Sequence, residues 1–159
     1  MNKMTSSPSF DETPDQAARK AWMSVLAKSK SEDLNAAITS YGAVPGFDWL
    51  RRPEIGGVMV RGRMGGTGTA FNLGEMTATR CSLRLESGEV GHAYVQGRDT
   101  RHAEQAAIVD ALMQGPNAAL VQAAVLGPLT EMLDARQITR AEKAAATKVD
   151  FFTMVRGED

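Results

Sequence analysis

The sequence predicts an α+β fold: a small four-stranded antiparallel sheet with helices packed on one face, an N-terminal helical hairpin and C-terminal helices. Three observations predict it. Apolar residues recur at helical spacing behind clear capping signals before about residue 42 and again after Asp99. Apolar and polar residues alternate between Phe47 and Gln96. Glycine pairs and a Ser87-Gly88 step punctuate that alternating region as turns between antiparallel neighbours.

The elements follow in order. Residues 1–12 are polar, with Pro8 and three serines, and are expected to form a flexible tail. Residues 13–159 are expected to form one α+β domain, the size of chain that buries about two thirds of its unfolded surface. Thr13-Pro14-Asp15-Gln16 starts a helix: Thr13 caps, Pro14 fits the first helical position and Gln16 completes a capping box. That helix should run to Lys28 with Ala18, Trp22, Val25 and Leu26 on its apolar stripe. A second helix starts at Ser31-Glu32-Asp33, turns Leu34, Ala37, Ile38 and Tyr41 inward, and stops at Gly42.

Phe47 to Arg52 reads as a first strand, stopped by Pro53, and Gly56-Gly57 reads as a turn. Val58 to Met64 is the second strand. Glu75 to Leu85 is the third, with Thr79, Cys81, Leu83 and Leu85 on its apolar face. A two-residue Ser87-Gly88 turn would pair Leu85 with Val90, Leu83 with His92 and Cys81 with Tyr94, so that the fourth strand runs from Glu89 to Gln96. The opposite face of the sheet would present Arg61, Arg63, Arg80 and Arg84. Asp99 or Thr100 caps an alanine-rich helix that ends before Gly115-Pro116. A short helix then runs to Gly127-Pro128, and a longer one from Leu129 to Thr147. Val149 to Val155 gathers Phe151, Phe152 and Met154, and residues 149–159 form a candidate interaction segment.

Charge narrows the function. The formal net charge is -1, which offers no global field for nucleic acid or a membrane surface. It is unevenly spread, however. Eight arginines and five acids lie between Arg51 and Arg101, and no lysine falls between Lys30 and Lys143. Arginine's rigid fork suits fixed pairing with carboxylates or phosphates. This segment therefore reads either as a surface built for such pairing or as a solvated sheet face. A single cysteine fits a reducing cytoplasm, and no apolar run reaches the roughly 20 residues of a membrane helix.

Candidate chemistry is sparse. In the loop from Met64 to Gly68, successive backbone N–H groups of Gly65, Gly66 and Gly68 could cup an anion, with Arg63 and Arg80 adding charge-assisted contacts. The loop lacks the lysine of a phosphate loop and is followed by strand rather than helix. A plain connection with glycines at positive φ is the simpler reading; a stand-alone phosphate-binding module is the alternative. Cys81, His92 and His102 match no zinc spacing, so no metal is expected. The expected register would set Cys81 and His92 diagonally on the core face, where a buried thiol beside a satisfied histidine is the simpler reading. The aromatic C-terminal segment would dock on its own core or in a partner's groove.

Several runs together resemble the PhnG family, the G subunit of the carbon–phosphorus lyase core complex. They are Trp22 to Ala27, Arg63 to Gly68, Phe71, Thr77 to Arg80, Gly91, Tyr94 to Asp99, His102 to Glu104, Asp110 to Gln114 and Val149 to Gly157. The resemblance spans residues 18–158. It implies an accessory subunit of a cytoplasmic assembly with the H, I and J subunits, most directly in contact with the I subunit. That assembly supports formation of ribose 1-methylphosphonate 5-triphosphate from ATP and methylphosphonate. The resemblance transfers no catalytic residue and no cofactor to this chain; the iron–sulfur cluster of the assembly belongs to its J subunit. Arg61, Arg98, Arg101, Phe151, Phe152 and Met154 are the candidate partner contacts.

Overall fold

The structure, a computed structural model, describes residues 13–147. The N-terminal tail and the 149–159 segment lie outside those residues. Helices α1 (Pro14–Lys28) and α2 (Ser31–Tyr41) lead into strands β1 (Phe47–Arg63), β2 (Ala70–Leu85) and β3 (Val90–Gln96). Helix α3 (Thr100–Leu112) follows. Then α4 (Ala118–Val121) passes through a π-turn, Gln122–Leu126, into α5 (Gly127–Ala146).

The helix ends are set by the signals the sequence carries. The Thr13 hydroxyl accepts from the Gln16 amide at 3.3 Å, and the Thr13 amide donates to Gln16 Oε1 at 3.0 Å. Gly42, at φ 112°, closes α2. Asp99 caps α3 by accepting from the His102 amide at 2.8 Å. The 127–128 break is different, because the helix continues through Gly127-Pro128. Proline within a helix removes one i→i−4 bond and crowds a carbonyl. The π-turn absorbs this, with the Gly127 amide bonding back to the Gln122 carbonyl.

Among the described residues the sheet has three strands in the order β1-β2-β3, all antiparallel, so the expectation of four is corrected. The two short strands predicted on either side of Gly56-Gly57 are one strand of 17 residues. The physical reason is that β1 is an edge. Its register shifts between Arg51 and Glu54, and that bulge takes up Pro53, which costs no ladder bond there. Gly56 and Gly57 then pair with Ala78 and Thr77 as ordinary strand residues. Strand β2 starts at Ala70, and the loop from Met64 is the tip of a long β1–β2 hairpin.

The second hairpin is slipped by one residue from its expected register. Leu83 pairs with Gly91, Ser82 with His92 and Arg80 with Tyr94. The Leu85 amide bonds to the Glu89 carbonyl, closing a three-residue loop with Gly88 at φ 107°, one residue longer than the predicted turn. One step of slip turns every β3 side chain over. His92 and Tyr94 are therefore exposed on the outer face, while Ala93 and Val95 join Cys81, Leu83 and Leu85 in the core.

The core lies between this inner face and α3, which is buried on nearly every side. Its alanines at 103, 106, 107 and 111 let it sit close to the sheet. Gly91 makes the approach closer still. A Cβ there would collide with the Ala107 carbonyl oxygen and reach within 3.0 Å of the Ala111 side chain. Leu34, Ile38, Val121, Val125, Leu126 and Leu129 complete the cluster from α2 and the C-terminal helices.

Candidate functional site

The buried polar chemistry converges on Asp110, an acid in the middle of an apolar helix and fully inaccessible. Arg19 meets it with two prongs, Nε to Oδ1 at 3.1 Å and Nη2 to Oδ2 at 2.7 Å. The Trp22 indole donates to Oδ1 at 2.8 Å, and the His92 amide donates to Oδ2 at 2.9 Å. Arg19 also reaches the Val90 carbonyl at 3.2 Å. One carboxylate thus ties α1, α3 and the outer edge of β3 together, with four donors in place. Sequence reading missed this centre. It gave Ala18 an inward seat, whereas Ala18 is exposed and Arg19 is the residue turned in. The available signal was Asp110 itself, alone among ten buried α3 positions as a formal charge.

The cysteine and the histidines are each committed elsewhere. Burial, with Glu104 adding to it, pushes the Cys81 thiol up to about 12, so it stays protonated at neutral pH. His102 is buried and its Nε2 lies 2.9 Å from the Leu26 carbonyl, to which it donates. His92 Nδ1 lies 2.8 Å from the Ser82 hydroxyl on the outer face, one strand-side away from Cys81. The one-residue slip is what separates this pair, which the expected register placed together. Asp99 is held below the usual carboxylate range, first by the His102 backbone amide and then by the Ser31 side chain; this is what its capping role requires. Among the described residues no group of three or more His, Cys, Asp or Glu side chains could hold a metal.

The anion-contact candidates do not share one place. Gly65 and Gly66 take φ of 60° and 82° at the hairpin tip. The Gly68 amide is spent on the Met64 carbonyl, and Arg63 Nη1 donates to the Gly68 carbonyl at 3.1 Å. Arg80 lies ten positions along β2 from Ala70, roughly 33 Å at strand rise. There it bonds Glu54 with Nε and Nη2, both at 3.3 Å, while Arg51 bonds the same carboxylate at 3.4 Å. Of the partner-contact candidates, Arg61 is exposed near the tip. Arg98 and Arg101 stand at the start of α3, where Arg101 donates to Asn35 Oδ1 at 2.7 Å. Phe151, Phe152 and Met154 lie outside the described residues.

What the structure does gather is exposed apolar surface. Beyond Thr77 the β1–β2 hairpin continues without β3 as a two-stranded arm. Met59, Met64, Phe71, Leu73 and Met76 are all exposed on it, Leu73 at 65% and Met64 at 75%. Phe47 and Trp49, at the base of β1, are the only β1 side chains packed on the core cluster. So many large exposed apolar side chains on one short arm point to an interaction site. A two-stranded ribbon with both faces in water is marginal by itself.

The model of the phosphonate metabolism protein PhnG family matches residues 17–157. A relative from Rhizobium meliloti (strain 1021), named alpha-D-ribose 1-methylphosphonate 5-triphosphate synthase subunit PhnG, is 45% identical over 143 residues. The alignment covers 90% of this chain and 92% of that protein. The chain belongs to the PhnG family. Family membership gives the exposed arm its context: the related protein is by name one subunit of a larger synthase, and a subunit keeps surface that another chain covers. No helix among the described residues is long and apolar enough to cross a membrane.

Proposed function

We propose that this chain is an accessory subunit of alpha-D-ribose 1-methylphosphonate 5-triphosphate synthase, working in the cytoplasm as part of the carbon–phosphorus lyase core complex. It supports formation of ribose 1-methylphosphonate 5-triphosphate from ATP and methylphosphonate in phosphonate breakdown. Its partners are the H, I and J subunits, with the I subunit in direct contact. The observation that carries this reading is the 45% identity to a named synthase subunit along nearly the whole of both chains. The arginines at 61, 98 and 101 and the segment holding Phe151, Phe152 and Met154 supply contacts to those partners. In this reading the chain brings no cofactor and does no chemistry alone; it completes an assembly whose reacting groups lie in other subunits.

Reconstitution tests it. All synthase subunits are mixed with ATP and methylphosphonate, with and without this chain, and adenine release is measured. The expected result is release that depends on the chain, none from the chain alone, and its recovery in the purified assembly. Equal release when it is left out, or turnover by the isolated chain, would overturn the reading.

A further inference from the structure

The arm carries an open strand edge. Between the register shifts at Arg51/Glu54 and Val60/Arg61, Glu54 to Val60 of β1 pairs residue for residue with Arg80 to Gly74 of β2. Among the described residues, the other edge of β1 has no strand beside it. Edge strands are normally blunted by lysine, by proline, by a bulge or by a covering element. This window has no lysine and no proline, and its bulges fall only at its ends. Exposed apolar residues, Ile55 and Met59, stand within it. A hollow of about 150 Å³ opens beside Gly56, walled by Ile55, Val58 and Tyr94 and by the Glu54–Arg80 ion pair; the Glu75 side chain fills the space that a Cβ on Gly57 would take. A Cβ on Gly56 would meet nothing within 4 Å, so the space above it is free. Glycine in a strand interior commonly marks the close approach of another backbone. Arg61, and Arg63 at the far end, set positive charge beside the tip.

We infer that the Glu54–Val60 edge receives an extended strand from a neighbouring subunit of the synthase, with one side chain seated in the hollow above Gly56 and acidic residues toward Arg61 and Arg63. Main-chain bonds along the edge supply affinity, and the hollow sets the register. The added strand turns a marginal two-stranded ribbon into three strands and covers its apolar side chains. This rests on the subunit reading above, since a neighbouring subunit is the source of the strand.

Hydrogen–deuterium exchange on the full chain, alone and in the assembled synthase, reads the edge directly. Exchange across residues 54–60 is expected to slow at least about tenfold on assembly, as opening becomes coupled to a larger cooperative unit. Gly56→Lys is the blocking variant: its side chain enters free space, so the isolated chain should melt as the wild type does. It is expected to weaken assembly at least about tenfold, as loss of a central anchor does. Leu120→Lys, on exposed apolar surface of α4, serves as the control and should assemble normally. Unchanged exchange in the assembly, or normal assembly of Gly56→Lys, overturns the strand-addition proposal while leaving the subunit reading intact. Protection of the same window in the isolated chain, with a dimer by sedimentation, overturns it in favour of a second copy. Failure of the wild-type chain to assemble removes both readings.

Discussion

The two halves of β2 form one continuous strand in opposite surroundings. From Ala78 to Leu85 it has a strand on each side and α3 across its inner face, and Thr79, Cys81, Leu83 and Leu85 are buried. From Ala70 to Thr77 it has β1 alone, and Phe71, Leu73 and Met76 are exposed. The apolar content is similar; the covering is not. Stability and interaction are thus divided along a single strand. The lower half sits in a body where each close approach is fixed by a specific residue. The upper half is long, regular and uncovered, as a surface kept for another chain is expected to be. Substitutions in the body should be felt in the fold, and substitutions in the arm should not.

Gly91→Val should have the largest effect. The new side chain would drive into the Ala107 carbonyl, and the α3 backbone cannot rotate away as a side chain would. Overpacking typically costs about 1–3 kcal/mol, occasionally more; a clash with helix backbone belongs at or beyond the upper end. Chemical denaturation should show a loss above about 3 kcal/mol or no cooperative transition at all. A loss under about 1 kcal/mol would mean that α3 does not set the body's geometry.

Asp110→Asn should come next. The amide keeps the shape but loses the charge that faces Arg19, and a nitrogen in the place of Oδ2 can accept from neither the His92 amide nor the guanidinium. Hydrogen bonds to charged groups contribute about 1.5–3 kcal/mol. Arg19 is partly solvated, so the lower half of that range applies. The loss should be accompanied by faster exchange of the His92 amide, because that donor is tied to the replaced oxygen. Unchanged exchange there would place the cost elsewhere than at this centre.

The same division explains what was legible in the sequence. Helix ends are local, and Thr13, Gly42 and Asp99 announced them correctly. The inner face of lower β2 was legible because burial on one side enforces alternation. The misreadings arose where tertiary context overrides a local signal. Pro53 and Gly56-Gly57 read as breaks, yet an edge strand with a bulge tolerates them. Pro128 read as a stop, yet a π-turn makes room for it. A loop one residue longer than the Ser87-Gly88 turn moved His92 from the core to the outer face and dissolved the expected pair with Cys81. Arg19 was invisible because periodicity assigns inward seats by apolarity, and this seat is apolar only after Asp110 neutralises it. The arm was legible only as turns and strands; nothing in a sequence says that a strand will be left uncovered.

Arg63→Ala should have the smallest effect on the fold and is the finest test of the division. Its guanidinium is exposed and makes one hydrogen bond, to the Gly68 carbonyl at the arm's tip. The turn itself is held by the Gly68 amide on the Met64 carbonyl and by the positive φ of Gly65 and Gly66, none of which needs the arginine. The melting curve of the isolated chain should therefore match the wild type within about 0.5 kcal/mol. Assembly should respond differently. A rim charge acts chiefly on association rate and its salt dependence, so the variant should assemble more slowly at low salt and equally fast at high salt. A clear drop in the stability of the isolated chain would show that the tip is tied energetically to the body, and the arm could then no longer be treated as a separate, waiting surface.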